Sequence, residues 1–368
     1  MSTKIETPPA SNPPRVAAVP SQLAWLEREL VAWQDEGIID QATATTIRGR
    51  YVATRRLTLV RIVLSLGAAF SVLGLIWLVG ANLGQVSPVF RFVLVVAIWW
   101  GLTALAEVLA ARHERQLDVA SPVVGTSRLL AAGAFGAVVF QAVQSLHVAT
   151  YGNTLIGLWG LGVLLYAYAV RGKAPLVLGV GLVTMWYLTE VFQVTGSWFS
   201  FTVAALVTAL CWAAIAALHM SRWRPEFVRP WRYVSVALGL LGLFLSALPS
   251  GQVTQKWPVL VVTGLVVATV LAVAGGLLGS RDARIELALV AITVVAGIGL
   301  VVWEVEHDPS AVEGEALLRA VVSVVVFTAI AAGYALLGAV RDVPALTVLA
   351  TLGFVVFTTF QAFAVFAP

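Results

Sequence analysis

Long apolar segments alternate with short polar connections from about residue 59 to the C-terminus. A helix that spans a bilayer needs about 17–25 mostly apolar residues, because its backbone N–H and C=O groups must pair within the segment once water is absent. Eleven segments meet this requirement, at about residues 59–81, 89–111, 128–147, 153–170, 174–193, 198–219, 231–249, 257–279, 284–303, 316–340 and 344–366. The pattern predicts an all-α, polytopic transmembrane helical bundle with about 11 spanning helices.

The composition agrees with this fold class. Hydrophobic residues make up 60% of the chain and charged residues 11%. Soluble domains contain about 45–50% apolar and about 25% charged residues. The lipid bilayer is therefore the expected surroundings of most of this chain.

The positive charges predict an orientation in the membrane. Of the 23 Lys and Arg residues, all but Arg91, Lys256 and Arg319 lie in the N-terminal segment, in alternate connections, or at the adjoining helix ends. Connections that carry Lys and Arg stay in the cytoplasm. We therefore expect a multi-pass protein of the cell membrane (inner or plasma), with its N-terminus in the cytoplasm and its C-terminus outside.

The sequence divides into three predicted regions: a disordered Pro-rich tail at 1–20, a cytoplasmic helical hairpin at 21–56 and a transmembrane helical domain at 57–368. In the hairpin, Gly37 can end the first helix and Asp40 can cap the second. Apolar residues recur at helical spacing along both helices. These candidate interaction residues are Leu23, Leu26, Leu30, Trp33, Ile47 and Tyr51.

Two helices of this length bury too little surface to be stable alone. The hairpin must therefore dock on its own membrane domain, a second copy, a protein partner or the lipid surface. The sequence leaves these alternatives open.

Several biochemical classes are not indicated. The net charge of +4 is dispersed through short loops, so we expect no nucleic-acid partner. The single cysteine, Cys211, excludes an intramolecular disulfide and a cysteine-based metal cluster. We find no phosphate-binding loop, zinc-protease helix or nucleophile elbow. We therefore expect no cofactor, metal site or catalytic residues, although the sequence leaves enzymatic activity open.

Three stretches of sequence resemble a known family. They are the hairpin from Trp25 to Asp40, the end of the first span at Val79–Asn82, and Gly136–Gln141 followed by His147. Over about residues 22–190 the chain is similar to bacterial membrane proteins of domain-of-unknown-function family 2157. The resemblance implies an integral membrane protein and implies no particular activity.

Polar residues within the apolar segments are candidates for a site, because their burial in hydrocarbon is costly. Most lie in the predicted outer halves of the helices, often in pairs three residues apart. The candidates for the lining of an outward-facing cavity are Gln141, Gln144, His147, Glu190, Thr358 and Gln361. The alternative is hydrogen bonding between packed helices or contact with the membrane interface. Glu107, in an inner half, is expected to reach toward Arg112.

The acidic loop Trp303–Asp308 allows two interpretations. Its carboxylates and imidazole could bind a divalent ion. A solvated acidic loop on the outer side is the alternative.

Two functions follow from these observations. One is a transporter-like or lipid-handling protein with an outward-facing polar cavity. The other is a non-catalytic membrane scaffold whose N-terminal hairpin mediates protein interaction or oligomerisation.

Overall fold

The structure is a computed structural model that describes residues 16–18, 20–53, 87–114, 122–146, 152–221, 224–248, 257–303 and 314–366, with isolated positions between 63 and 74. The chain forms two compact units, Met1–Val138 and Val139–Pro368. The predicted span at 59–81 lies outside the described residues, apart from those isolated positions.

The first unit begins with two short helices beside a pair of strands. Its elements are β1 (Val16–Ala18), α1 (Pro20–Asp35), α2 (Gln41–Gly49), β2 (Tyr51–Ala53), α3 (Pro88–Glu114) and most of α4 (Pro122–Leu146). Strands β1 and β2 pair in parallel, with Val16 opposite Tyr51. The sequence predicts a disordered tail up to residue 20, but residues 16–18 form this strand because the chain after α2 returns beside them.

The turn between α1 and α2 has the conformation that the residue types favour. Gly37 has a φ of 71°, a left-handed value that glycine adopts without steric cost. The backbone N–H of Thr43 donates to Asp40 Oδ1 at 2.8 Å, so Asp40 caps α2 as expected. Arg48 on α2 pairs with Glu27 on α1 at 2.8 Å. The predicted cap and turn residues are therefore confirmed.

The second unit is a bundle of helices. It contains the end of α4 and eight further helices: α5 (Gly152–Ala169), α6 (Lys173–Thr195), α7 (Trp198–Ser221), α8 (Val228–Ala247), α9 (Val259–Leu278), α10 (Arg281–Val302), α11 (Gly314–Val340) and α12 (Pro344–Phe366). A short 3-10 turn, Pro225–Phe227, precedes α8. The fold class is all-α, as predicted.

Among the described residues, nine helices are long and apolar enough to cross a membrane. They are α3, α4 and α6 to α12, and they correspond to nine of the predicted segments. Helix α5 corresponds to a tenth, but its apolar part, Asn153–Ala169, is shorter. The chain is therefore a membrane protein with multiple apolar helices, while the predicted total of about 11 spans stays a prediction.

Helix α7 lies at the centre of the second unit. It packs against α6, α8, α9 and α10, and most of its residues between 202 and 217 are buried. Small residues on the neighbouring helices permit this close packing. Leu206 of α7 fits against Gly242 of α8 and Gly297 of α10, where an added Cβ would lie 2.7 Å from a side-chain atom of Leu206. The bundle is therefore organised around a buried helix rather than around an open channel.

Two helix pairs of the bundle share one kind of turn. In the α5–α6 turn Arg171 has a φ of 52°, and in the α11–α12 turn Asp342 has the same value. The next residue in each turn donates its backbone N–H five residues back, from Gly172 to Ala167 and from Val343 to Gly338. Each turn leads into a helix of 23 residues. These are repeated helical hairpins within the bundle.

The bundle has two chemically different ends. We call the end with the α5–α6, α7–α8, α9–α10 and α11–α12 connections the turn end, and the other end the opposite end. In the second unit the described cations of the turn end are Arg171, Lys173, Arg224, Arg229, Arg232, Arg281, Arg284 and Arg341, whereas Arg319 lies at the opposite end.

Candidate functional site

The turn end contains a cluster of ion pairs between three helices. Arg232, near the start of α8, donates from Nε to Glu286 Oε2 of α10 at 2.7 Å. Arg341, directly after α11, donates to Glu286 Oε1 at 2.5 Å and to Asp282 Oδ1 at 3.2 Å. The side chain of Glu286 is 12% exposed and that of Asp282 is 72% exposed. Glu286 is therefore held between two guanidinium groups, with both carboxylate oxygens bonded.

A small cavity lies against this cluster. Its wall includes Arg232 and Glu286, together with Ala216, Ser235 and Tyr334. The cavity is large enough for about one water molecule. Sites for small organic ligands enclose about 300–1,000 Å³ and are much larger. The cavity therefore has room for water but not for a substrate of ordinary size.

A group of aromatic residues lies at the same end. His219 of α7 has Nδ1 2.7 Å from the carbonyl oxygen of Ile215, and its Nε2 lies 2.8 Å from the hydroxyl oxygen of Tyr168. A carbonyl oxygen only accepts, so Nδ1 carries a proton. In the neutral imidazole, Nε2 then accepts from Tyr168. Phe227 packs edge-on against Tyr168 at 5.1 Å.

This aromatic group continues into the centre of the bundle. The rings of Trp212 and Trp231 lie 4.9 Å apart, and Trp212 donates from Nε1 to Thr184 at 2.8 Å. The group joins α5, α6, α7 and α8 through buried side chains. Its geometry fits a packed helix junction.

The opposite end carries a polar cluster between α5 and α6. Asn153 is 6% exposed and donates to Glu190 Oε2 at 2.5 Å. It also donates to the carbonyl oxygen of Trp186 at 3.3 Å, and its Oδ1 accepts from Thr189 at 2.5 Å. The cavity candidate Glu190 is therefore bonded to a neighbouring helix.

The remaining cavity candidates are dispersed. Gln141 is 4% exposed and donates to Ser145 one turn along its own helix at 2.9 Å, whereas Gln144 is exposed. Thr358 donates to Phe354 within its helix, and Gln361 is half-buried. His147 lies outside the described residues. Among the candidates that the structure describes, no hydrogen bond joins any two, so their role as a cavity lining stays a prediction.

The predicted interaction residues of α1, α2 and β2 are mostly half-buried. Leu30 is buried, at 5% exposure, and the other five candidates are half-buried: Leu23, Leu26, Trp33, Ile47 and Tyr51. Different apolar side chains are exposed, namely Trp25 at 51%, Val31 at 56% and Ile38 at 64%. Helical spacing therefore marks the less exposed side of the helices, and the role of these six residues in interaction stays a prediction.

Glu107 pairs with an arginine of a neighbouring helix. Its carboxylate accepts from both Nε and Nη2 of Arg128, at 3.0 and 2.6 Å, and this bidentate pair joins α3 to α4. The sequence predicts a reach toward Arg112, whereas the hydrogen bonds here come from Arg128, because a neighbouring helix supplies a guanidinium whose two donors match a carboxylate.

Sequence reasoning also missed the turn-end cluster. The charge pattern of the sequence accounts for Arg232 and Arg341 only as cations at helix ends, and it gives no role to Glu286. A carboxylate one turn into an apolar helix was the available clue, but the sequence does not say which of many arginines lies beside it.

Within the described part of the chain, no group of three or more His, Cys, Asp or Glu side chains has a geometry that could hold a metal ion. Most of the acidic loop, residues 304–308, lies outside that part. The choice between a divalent-ion site and a solvated loop at Trp303–Asp308 therefore stays open.

Comparison with known proteins identifies one family. Residues 31–176 match the family described as Predicted membrane protein (DUF2157). This match confirms the resemblance that the sequence motifs indicate, and it covers α2 to α5 and the α5–α6 turn. No curated protein and no solved structure matches the chain.

Proposed function

We propose that this protein is a non-catalytic scaffold of the cell membrane whose α1–α2 hairpin mediates self-association in the cytoplasm. The observation that carries this proposal is the packed interior of the second unit. Helix α7 occupies its centre, and the cavity beside Arg232 and Glu286 has room for about one water molecule. A bundle of this kind supports a rigid framework better than passage of a solute.

The polar groups of the bundle favour the same function. Glu190 is bonded to Asn153, and Glu286 is bonded to two arginines. Because these groups already have partners on neighbouring helices, a ligand would have to displace protein contacts before it could bind them. Such contacts stabilise one arrangement of helices.

The charges support the proposed orientation. The exposed cations Arg171, Lys173, Arg229, Arg281 and Arg284 lie at the turn end. Cytoplasmic connections are enriched in such residues. These cations support a cytoplasmic turn end and an outer C-terminus, and the cations of the N-terminal segment separately support a cytoplasmic N-terminus.

The hairpin has the properties of a surface that contacts a second copy. Trp25, Val31 and Ile38 are large apolar side chains that remain more than half exposed. The hairpin also carries exposed charges of both signs, including Glu36 and Arg50. A surface with apolar residues and both charges can be complementary to itself, as a two-fold dimer requires.

The test is the number of chains per particle in lipid nanodiscs, measured by mass photometry. We expect the full-length protein to form dimers and the double variant Trp25→Ser, Ile38→Ser to be mainly monomeric. The control is Glu36→Gln, which alters an exposed polar residue of the same turn and should remain dimeric. A monomeric wild-type protein, or a dimeric double variant, would reject self-association through the hairpin.

A second candidate function is transport or lipid handling through polar groups at the opposite end. The observation in its favour is the carboxylate of Glu190 beside the buried Asn153, at the end of two helices. Proteoliposomes with a pH gradient and an internal pH dye test this function. Proton flux that is lost in Glu190→Gln would support it, and the absence of flux in the wild-type protein would remove its support.

A further inference from the structure

We propose that Arg232, Glu286 and Arg341 form a latch that closes the turn-end cavity, and that release of this latch admits water between the helices. We call these three residues the turn-end latch. The proposal concerns the mobility of the bundle and goes beyond its role as a scaffold.

The first argument is the position of the ion pairs relative to the cavity. Three residues that line the cavity are at most 1% exposed, namely Ser235, Ala283 and Tyr334. The side chains of Arg232 and Glu286, which also line the cavity, are 13% and 12% exposed. The ion pair therefore lies between the cavity and the surface of the turn end.

The second argument is the number of helices that the latch joins. Glu286 belongs to α10, Arg232 to α8, and Arg341 to the residue after α11. The cavity wall is formed by these three helices together with α7 and α12. Three of the five helices around the cavity are thus linked at this end through one carboxylate, and loss of its charge weakens two contacts at once.

The third argument is the chemistry of the space behind the latch. Ser235 donates its hydroxyl to the carbonyl oxygen of Ala209 at 2.7 Å, and Tyr334 shares a hydrogen bond with Thr293 at 3.0 Å. Alanine side chains fill little volume around these polar groups. A space with polar atoms and small side chains accepts water when its cover opens.

The experiment measures how fast a cysteine in the cavity reacts with a small water-soluble thiol reagent. Cys211 is first replaced by alanine. Ser235→Cys then reports on the cavity, and Val203→Cys reports on a fully buried position in the N-terminal half of α7. The proteins are studied in nanodiscs, where both ends of the bundle face solution. The latch is released by Glu286→Gln and, in a separate variant, by Arg341→Gln.

Loss of one member of a largely buried ion pair is costly. We therefore expect labelling at position 235 to accelerate about tenfold or more in both variants, with position 203 unreactive. The matched control is Glu226→Gln, which removes a carboxylate at the same end that pairs with Arg224 at 3.8 Å and lies outside the cavity wall. It should leave the rate at 235 unchanged. An unchanged rate in either latch variant would overturn the proposal, and so would equal acceleration at 235 and 203, which indicates general unfolding.

Discussion

Arg319 donates from Nη2 to the carbonyl oxygen of Ser246 at 3.1 Å. The same nitrogen lies 3.3 Å from the carbonyl oxygen of Leu300. These carbonyls are at the C-terminal ends of α8 and α10, where the last turn of a helix has no backbone donors and a cation is favourable. Arg319 was an exception to the charge pattern, and the two helix ends provide its physical reason.

Replacement of Arg319 by methionine should therefore destabilise the bundle. Hydrogen bonds from charged groups contribute about 1.5–3 kcal/mol, and we expect a loss of unfolding free energy in this range. Arg319→Lys should retain part of it. Thermal unfolding in detergent provides the measurement, with Arg229→Met, an exposed arginine, as the control. Equal stability of Arg319→Met and Arg229→Met would contradict the capping role.

The partner of Glu107 can be identified with a double-mutant cycle. The bidentate contact predicts a coupling free energy of about 1 kcal/mol between Glu107→Gln and Arg128→Gln, a modest value because the Glu107 side chain is 38% exposed. The cycle of Glu107→Gln with Arg112→Gln should give a coupling near zero. Chemical unfolding of the four proteins in each cycle measures both values. Stronger coupling to Arg112 would show that Arg112, and not Arg128, is the main partner of Glu107.

The packing of Leu206 against Gly297 predicts the effect of a single added methyl group. In Gly297→Ala the new Cβ would lie 2.7 Å from Leu206 Cδ1, so one of the helices must shift. Overpacking of this kind costs about 1–3 kcal/mol. The unfolding temperature should fall, and Leu206→Ala in the same chain should recover part of the loss. Gly299→Ala, with no atom within 4 Å of its added Cβ, is the matched control.

The cap of α2 predicts a pH dependence confined to the hairpin. The hydrogen bond from the Thr43 side chain, followed by that from the Thr43 backbone, holds the pKa of Asp40 below its usual value. A carboxyl with a lowered folded-state pKa stabilises the fold above its unfolded pKa of about 3.9, and this contribution is lost as the pH falls through the folded pKa. Amide NMR signals of residues 41–49 should report fraying at acid pH.

The matched variant for this titration is Asp40→Asn. Asparagine retains a side-chain oxygen for the cap but does not titrate in this range. We expect it to remove the acid fraying while α2 stays helical near neutral pH. Identical titration curves for the two proteins would show that another group governs α2.

Much of the fold follows from the sequence, because the bilayer requires long apolar helices and the charges alternate between connections. Particular contacts do not follow. The sequence shows that Glu107 lies within an apolar segment, but it does not show which of several nearby arginines on the chain reaches it. Likewise, the spacing of Leu30 with its neighbours identifies one face of α1 without saying whether that face is internal or external.

The candidate site, like the fold, could be predicted only in part: the sequence indicates its polar residues but not their partners. Gln141 and Glu190 were recognised as costly polar residues, and both have partners in the structure, but Asn153 was overlooked beside Glu190. The turn-end latch depends on residues more than fifty positions apart in sequence. Only three-dimensional packing brings these residues together, because the sequence around each of them is typical of an ordinary helix end.

The central claim is that the bundle is a packed scaffold with no continuous aqueous path along α7. Cysteine scanning of residues 199–219 in the Cys211→Ala background tests it most directly, with a small thiol reagent and protein in nanodiscs. We predict reaction only near the two ends of α7 and protection between them. A continuous reactive stripe with helical spacing from one end to the other would contradict the account and support a transport pathway.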